Sequence, residues 1–155
     1  MRINFFSIYI LIIAGFILFY KPELGLAEQY KLKAELKDCA YGYTAKVNSG
    51  THFGITAKFT NSDTALNLPL TIWLIYDNKV CDKKELDRIY YPGETIFGKN
   101  CYLGCDVELP GVPAEAKKID RSFKILYTLG KQNPIAEGVL IYSGNTKEFC
   151  RVCVE

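Results

Sequence analysis

The sequence predicts an all-β fold: an antiparallel Ig-like β-sandwich tied by disulfides, behind an N-terminal signal segment. Three observations predict it. Apolar and polar residues alternate with a period of two over several stretches, turn signals recur roughly every 8–12 residues, and six cysteines follow an apolar leader. The 155 residues are 49% hydrophobic, 14% aromatic and 23% charged, enough apolar surface for a real core, which excludes a disordered tail. The formal charge of +2 excludes a polybasic nucleic-acid binder.

Residues 5–20 form an uncharged apolar run between Arg2 and Lys21. As a helix at about 1.5 Å per residue it spans roughly 24 Å, short of the roughly 30 Å hydrocarbon core. A basic start, an apolar middle and the small-x-small site Gly25-Leu26-Ala27 fit a signal peptide over residues 1–27, an uncleaved anchor being the alternative. A single domain over residues 28–155 follows, secreted or in the lumen of the secretory pathway, with no stable membrane span after cleavage. Without Arg2, Lys21 and Glu23 its charges nearly balance, so steering by net charge is not its main device.

The strands read in order along this domain. Tyr30, Leu32, Ala34 and Leu36 alternate with Lys31, Lys33, Glu35 and Lys37, which is a half-buried strand with a lysine-rich outer face. Phe53, Ile55, Ala57 and Phe59 alternate in the same way, and Asn61-Ser62-Asp63 ends that strand. Residues 70–76 are apolar on both faces apart from Thr71, as in a central strand, with Trp73 opposite Leu70, Ile72, Leu74 and Tyr76. Asp77-Asn78-Lys79 and Tyr91-Pro92-Gly93-Glu94 are turns, and Thr95-Ile96-Phe97 begins a short strand. Asp82, Glu85 and Asp87 among Lys83, Lys84 and Arg88 read as a solvated loop. Pro110, Gly111 and Pro113 mark another loop, with one helical turn over residues 114–118. Phe123, Ile125, Tyr127 and Leu129 alternate again, residues 138–142 form an apolar strand, Ser143-Gly144-Asn145 reads as a hairpin turn, and residues 149–154 are the last strand.

Cys39, Cys81, Cys101, Cys105, Cys150 and Cys153 are an even set behind an export signal, so they are read as disulfides. Fifteen pairings are open for six cysteines. Cys150 and Cys153, three apart in a strand, point to opposite faces and should not pair with each other. Cys101 and Cys105 could close a small loop, and Cys39 with Cys150 could tie the two chain ends together. Zinc ribbons need tight turns at both ligand pairs, and the second pair here lies in a strand, so no metal or other cofactor is assigned.

No catalytic residue is assigned either. The single His52 has no Gly-x-Ser-x-Gly elbow beside it, and there is no Gly-rich phosphate loop or calcium loop. What remains is a non-enzymatic binding protein. The large apolar residues Phe53, Phe59, Trp73, Tyr76, Phe123 and Tyr127 either fill a core or line a pocket between the sheets for a lipid or other hydrophobic small molecule. Each buried CH₂ of such a ligand contributes about 0.8 kcal/mol.

Several of these segments resemble the ML lipid-recognition family. They are Lys37-Asp38-Cys39, the stretch from Gly50 to Asn61, Asp106-Val-Glu-Leu-Pro110 and Phe149-Cys150-Arg-Val-Cys153-Val154. The resemblance covers most of residues 30–154 and implies a small, secreted, disulfide-linked β-sandwich that holds a lipid between its sheets. It also implies the pair Cys39–Cys150. The chain departs from the family in having no cysteine between Cys39 and Cys81, in carrying Asp106 rather than proline after Cys105, and in its additional Cys153. The alternative is an Ig-like module with a solid core that binds an extracellular protein through surface loops. Tyrosines 41, 43, 90, 91 and 102 are its expected contacts, for adhesion or as an effector, toxin or inhibitor.

Overall fold

A computed structural model describes residues 30–44, 49–62, 64–66, 69–110 and 113–154. The expected leader at residues 1–27 lies outside the described residues, and among the described residues no helix is long and apolar enough to cross a membrane.

Among the described residues, eight strands form two four-stranded sheets. They are β1 (Leu32–Thr44), β2 (Ser49–Asn61), β3 (Leu70–Tyr76), β4 (Lys79–Glu85), β5 (Thr95–Asp106), β6 (Ser122–Leu129), β7 (Val139–Asn145) and β8 (Arg151–Val154). Single helical turns follow β5, β6 and β7: α1 (Pro113–Ala116), α2 (Pro134–Glu137) and α3 (Thr146–Phe149). One sheet has the order β5-β2-β1-β8 and the other β4-β3-β6-β7. All pairings are antiparallel except β1 with β8, which run parallel.

Alternation fixes which side of each strand meets the opposite sheet. In β1 the expected inward set holds through Leu36. A register shift between Leu36 and Asp38 then turns Cys39 and Tyr41 inward. Such a bulge resets the pleat by one residue, so Tyr41, expected at the surface, is only 1% exposed. In β2, Phe53, Ile55, Ala57 and Phe59 are all buried. They meet Leu70, Ile72 and Leu74 of β3 and Phe123, Ile125 and Tyr127 of β6 in one core between the sheets. The β3–β4 turn places Asp77 and Asn78 at φ 49° and 61°, the left-handed pair that joins twisted strands tightly. At the Tyr91–Glu94 turn, Gly93 takes φ 86° and Glu94 N–H donates to the Tyr91 carbonyl at 3.1 Å.

Three expectations give way. The charged stretch from Asp82 to Glu85 is not a loop but part of the edge strand β4, whereas Asp87 and Arg88 follow it outside any strand and exposed, as expected. The strand beginning at Thr95 is long, running through Asp106 with a kink at Phe97 and Gly98, both at positive φ. Residues 143–145 do not turn a hairpin. β7 continues to Asn145, whose side chain accepts from the Lys147 N–H and caps α3, and the chain crosses to the other sheet as β8.

Two disulfides form, Cys39–Cys150 and Cys81–Cys105. Cys101 and Cys153 carry free thiols, against the expectation that all six cysteines pair. Strand geometry gives the reason. Four residues of extended β5 separate Cys101 from Cys105 by about 13 Å, beyond the roughly 7 Å a bridge tolerates. Cys101 and Cys153 lie on the two outer strands of one sheet, three strand spacings apart and offset along the strands, so clearly more than about 14 Å separates them. Burial pushes the Cys101 thiol above its ordinary pKa. Cys153 is partly exposed and bonded to Arg151, which also forks onto the Asp38 carboxylate at 3.0 and 2.7 Å. One thiol per chain should therefore react with an aromatic disulfide reagent in the folded protein and two after denaturation. Two fast thiols in the native state would show that Cys101 is not sealed in the core.

Candidate functional site

The two sheets are fastened at their β4 and β5 edges. Besides Cys81–Cys105, the Asp82 carboxylate accepts from the Gly104 N–H at 3.0 Å. Beside this seam, at the β3–β4 turn, a cleft of about 500 Å³ opens. Its walls are Tyr76 to Val80 without Asn78, the Cys81–Cys105 bridge, Asp106 to Glu108, and Arg121. That volume lies within the range of small-molecule sites, roughly 300–1,000 Å³.

Each wall has a local cause. The tight turn brings the Asp77 carboxylate to 3.3 Å from Arg121 Nε, and the Asp77 N–H donates to the Ser122 carbonyl at 2.9 Å. Arg121 is held from behind by buried Thr146, whose hydroxyl accepts from the Arg121 N–H and donates to the Ile119 carbonyl, both at 3.1 Å. The rim carries both signs of charge, Asp77, Asp106 and Glu108 against Lys79 and Arg121. Its inner member is aromatic. Tyr76 packs on Phe53 with ring centroids 4.4 Å apart, and Phe53 lies 6.0 Å from Phe123. The Tyr76 and Tyr41 hydroxyls share a 3.0 Å hydrogen bond. Burial, and then that bond, push the Tyr76 phenol far above its ordinary range, so it stays a neutral hydroxyl.

A second polar group lies on the outer face of the β5-β2-β1-β8 sheet. His52 Nδ1 is 3.2 Å from the Asp106 carboxylate, and its Nε2 is bonded to the Tyr102 hydroxyl. The two rings stack nearly parallel at 5.9 Å. Tyr102 lies across Gly54 and Gly104, where any added Cβ would run into its ring. Aromatic cover over paired glycines restores packing that the glycines lack. Burial, then Asp82 and Asp106, raise the Tyr102 pKa, so the phenol keeps its proton and offers a hydrogen-bonding group on this face.

Of the six residues expected to line a pocket, only Tyr76 borders this cleft. Phe53, Phe59, Phe123 and Tyr127 are sealed in the core. Trp73 does not face the inter-sheet space at all. Strand period places it on the outer face, where its Nε1–H donates to Thr128 Oγ1 at 2.8 Å and Lys83 sits 5.6 Å above its ring. Among the tyrosines expected at the surface, Tyr91 and Tyr102 are exposed. Tyr90 is only 3% exposed, with its hydroxyl donating to Asp87 at 2.7 Å; the Tyr43 side chain lies outside the described residues. Sequence reasoning missed Arg121 and Lys79, which no spacing links to residues 105–108.

Comparison with known protein families and with curated proteins finds no match. Among solved structures, the chain is similar to a late embryogenesis abundant (LEA) protein solved in solution. The likeness has a TM-score of 0.28 and 11% identity and covers 90% of this chain and 82% of that one.

Proposed function

We propose that the protein is an exported, non-enzymatic binding protein of Ig-like sandwich form, made behind a signal segment. It carries a lipid or other hydrophobic ligand, and the Tyr76 cleft is the way in between its sheets. The observation that carries this reading is the position of the cleft. It sits at the mouth of the sandwich, on an aromatic side chain that links solvent to the buried Phe53–Phe123 stack. Swinging the Tyr76 ring outward would open apolar surface to a ligand chain while the charged rim keeps a polar head in water. The two disulfides support an oxidising compartment.

The alternative, a protein-binding module acting through its surface, draws support from the complete burial of Phe53, Phe59 and Phe123 and from exposed Tyr91 and Tyr102. Ligand uptake separates the two. Protein recovered from its exporting host should release one apolar molecule per chain in native mass spectrometry, or take up a fluorescent fatty probe after delipidation. Tyr76→Ala should tighten probe binding several-fold by removing the ring that fills the mouth. If neither the natural protein nor Tyr76→Ala holds any lipid or probe, the carrier reading is lost.

A further inference from the structure

A cleft selects a head group by charge when its own charges are free and sorted in space. Both conditions hold at the Tyr76 cleft, whose two walls come from different sheets. On one side the β3–β4 turn brings Asp77 and Lys79 together with Arg121, which precedes β6, so this wall has one positive charge in excess. On the other side the end of β5 and the residues after it supply Asp106 and Glu108, two negative charges. Arg121 is already shared with Asp77 at 3.3 Å, and Asp106 with His52 at 3.2 Å. Lys79 and Glu108 line the same cleft, yet among the described residues neither side chain has a hydrogen-bond or ion-pair partner. Opposite charges that border one space without meeting leave room for a group that meets both.

We infer, building on the carrier reading above, that the ligand is an amphiphile with a zwitterionic head. Its anion, a phosphate ester or carboxylate, lies against Lys79 and Arg121. Its ammonium lies against Glu108 and Asp106, and its apolar chain passes Tyr76 towards Phe53. A singly charged head gains one wall and sets its charge against the other. A zwitterion suits both walls and brings no net charge into the cleft. Both walls are wet, so each charge contact changes affinity several-fold and not by orders of magnitude.

Four amphiphiles of matched chain length test this, each held below its micelle concentration and competed against a fluorescent fatty probe. They are dodecylphosphocholine, dodecanoate, dodecyltrimethylammonium and dodecyl maltoside. Dodecylphosphocholine should bind about 3- to 30-fold more tightly than each of the others. Glycerophosphocholine, the same head without the chain, should bind at least about tenfold more weakly than it. Lys79→Glu should weaken dodecylphosphocholine about 3- to 30-fold and leave dodecyltrimethylammonium the tightest, whereas Glu108→Lys should make dodecanoate the tightest. Both variants should hold the maltoside within about twofold of wild type, since they leave the apolar path intact. Equal binding of all four heads overturns the inference and leaves the carrier reading standing. A wild-type preference for one singly charged head overturns it too, as does glycerophosphocholine bound as tightly as dodecylphosphocholine. If neither wild type nor Tyr76→Ala binds any of the four, the inference and the carrier reading fall together.

Discussion

Replacing Cys39 and Cys150 together by serine lowers the stability of the folded protein by about 2–5 kcal/mol and its melting temperature by roughly 10 °C. The bridge closes the longer of the two loops, its ends 111 positions apart against 24 for Cys81–Cys105. A longer closed loop restricts the unfolded chain more, about 4.7 kcal/mol for a loop of 100 residues against about 3 for one of 15. Position adds to length. β8 is a four-residue strand paired on one side only, to β1, and the bridge fixes its start. The other tie there, Asp38 with Arg151, is exposed to solvent and contributes little alone. The double variant should therefore lose protection of β8 amides first in hydrogen exchange, and only then unfold globally at lower urea. A melting temperature within about 1 °C of wild type would mean that the unfolded chain is already compact enough to make the tie redundant.

Most of the sandwich was legible wherever a strand buries one face and wets the other. β1, β2 and β6 announce themselves by alternation, β3 by an apolar run on both faces, and two turns by residues suited to their backbone angles. β4 was hidden because an edge strand bolted on at Cys81 and exposed elsewhere has no apolar face to betray it. β5 was cut short because Phe97 and Gly98 interrupt its pleat, and because Gly104, lying under Tyr102, resembles a turn residue. The false hairpin at residues 143–145 has a chemical cause. An asparagine side chain that accepts a backbone N–H serves equally well in a turn and at a helix cap, and Asn145 is a cap. Tyr41 was misplaced by one bulge, since a single inserted residue exchanges the two faces of everything after it. The cleft was the least legible part. Tyr76 stood out as a large aromatic, but Lys79, Glu108 and Arg121 meet it only because β4 and β5 are fastened across the sheets, and that contact is tertiary.

Phe53→Ala should cost about 3–5 kcal/mol, measured by urea unfolding with little change in slope. Phe53 is 0% exposed, and three rings surround it: Tyr41 at 5.6 Å, Tyr76 at 4.4 Å and Phe123 at 6.0 Å. Tyr41 stands directly opposite on β1, whereas Tyr76 and Phe123 come from the other sheet, so one side chain joins both layers. Its neighbours are fixed by backbone pairing and by the Tyr41–Tyr76 hydroxyl bond, so they cannot collapse fully into the space left behind. Trp73→Ala removes a larger side chain but should cost clearly less, because Trp73 lies half-buried on the outer face, where water replaces the lost contacts. The order of these two losses discriminates more sharply than either size. A core whose rings are closely packed demands that the smaller phenylalanine matter more than the larger tryptophan. If Phe53→Ala costs less than about 1 kcal/mol, the space between the sheets is already loose around that ring. An apolar probe should then enter the wild-type interior without any displacement of Tyr76.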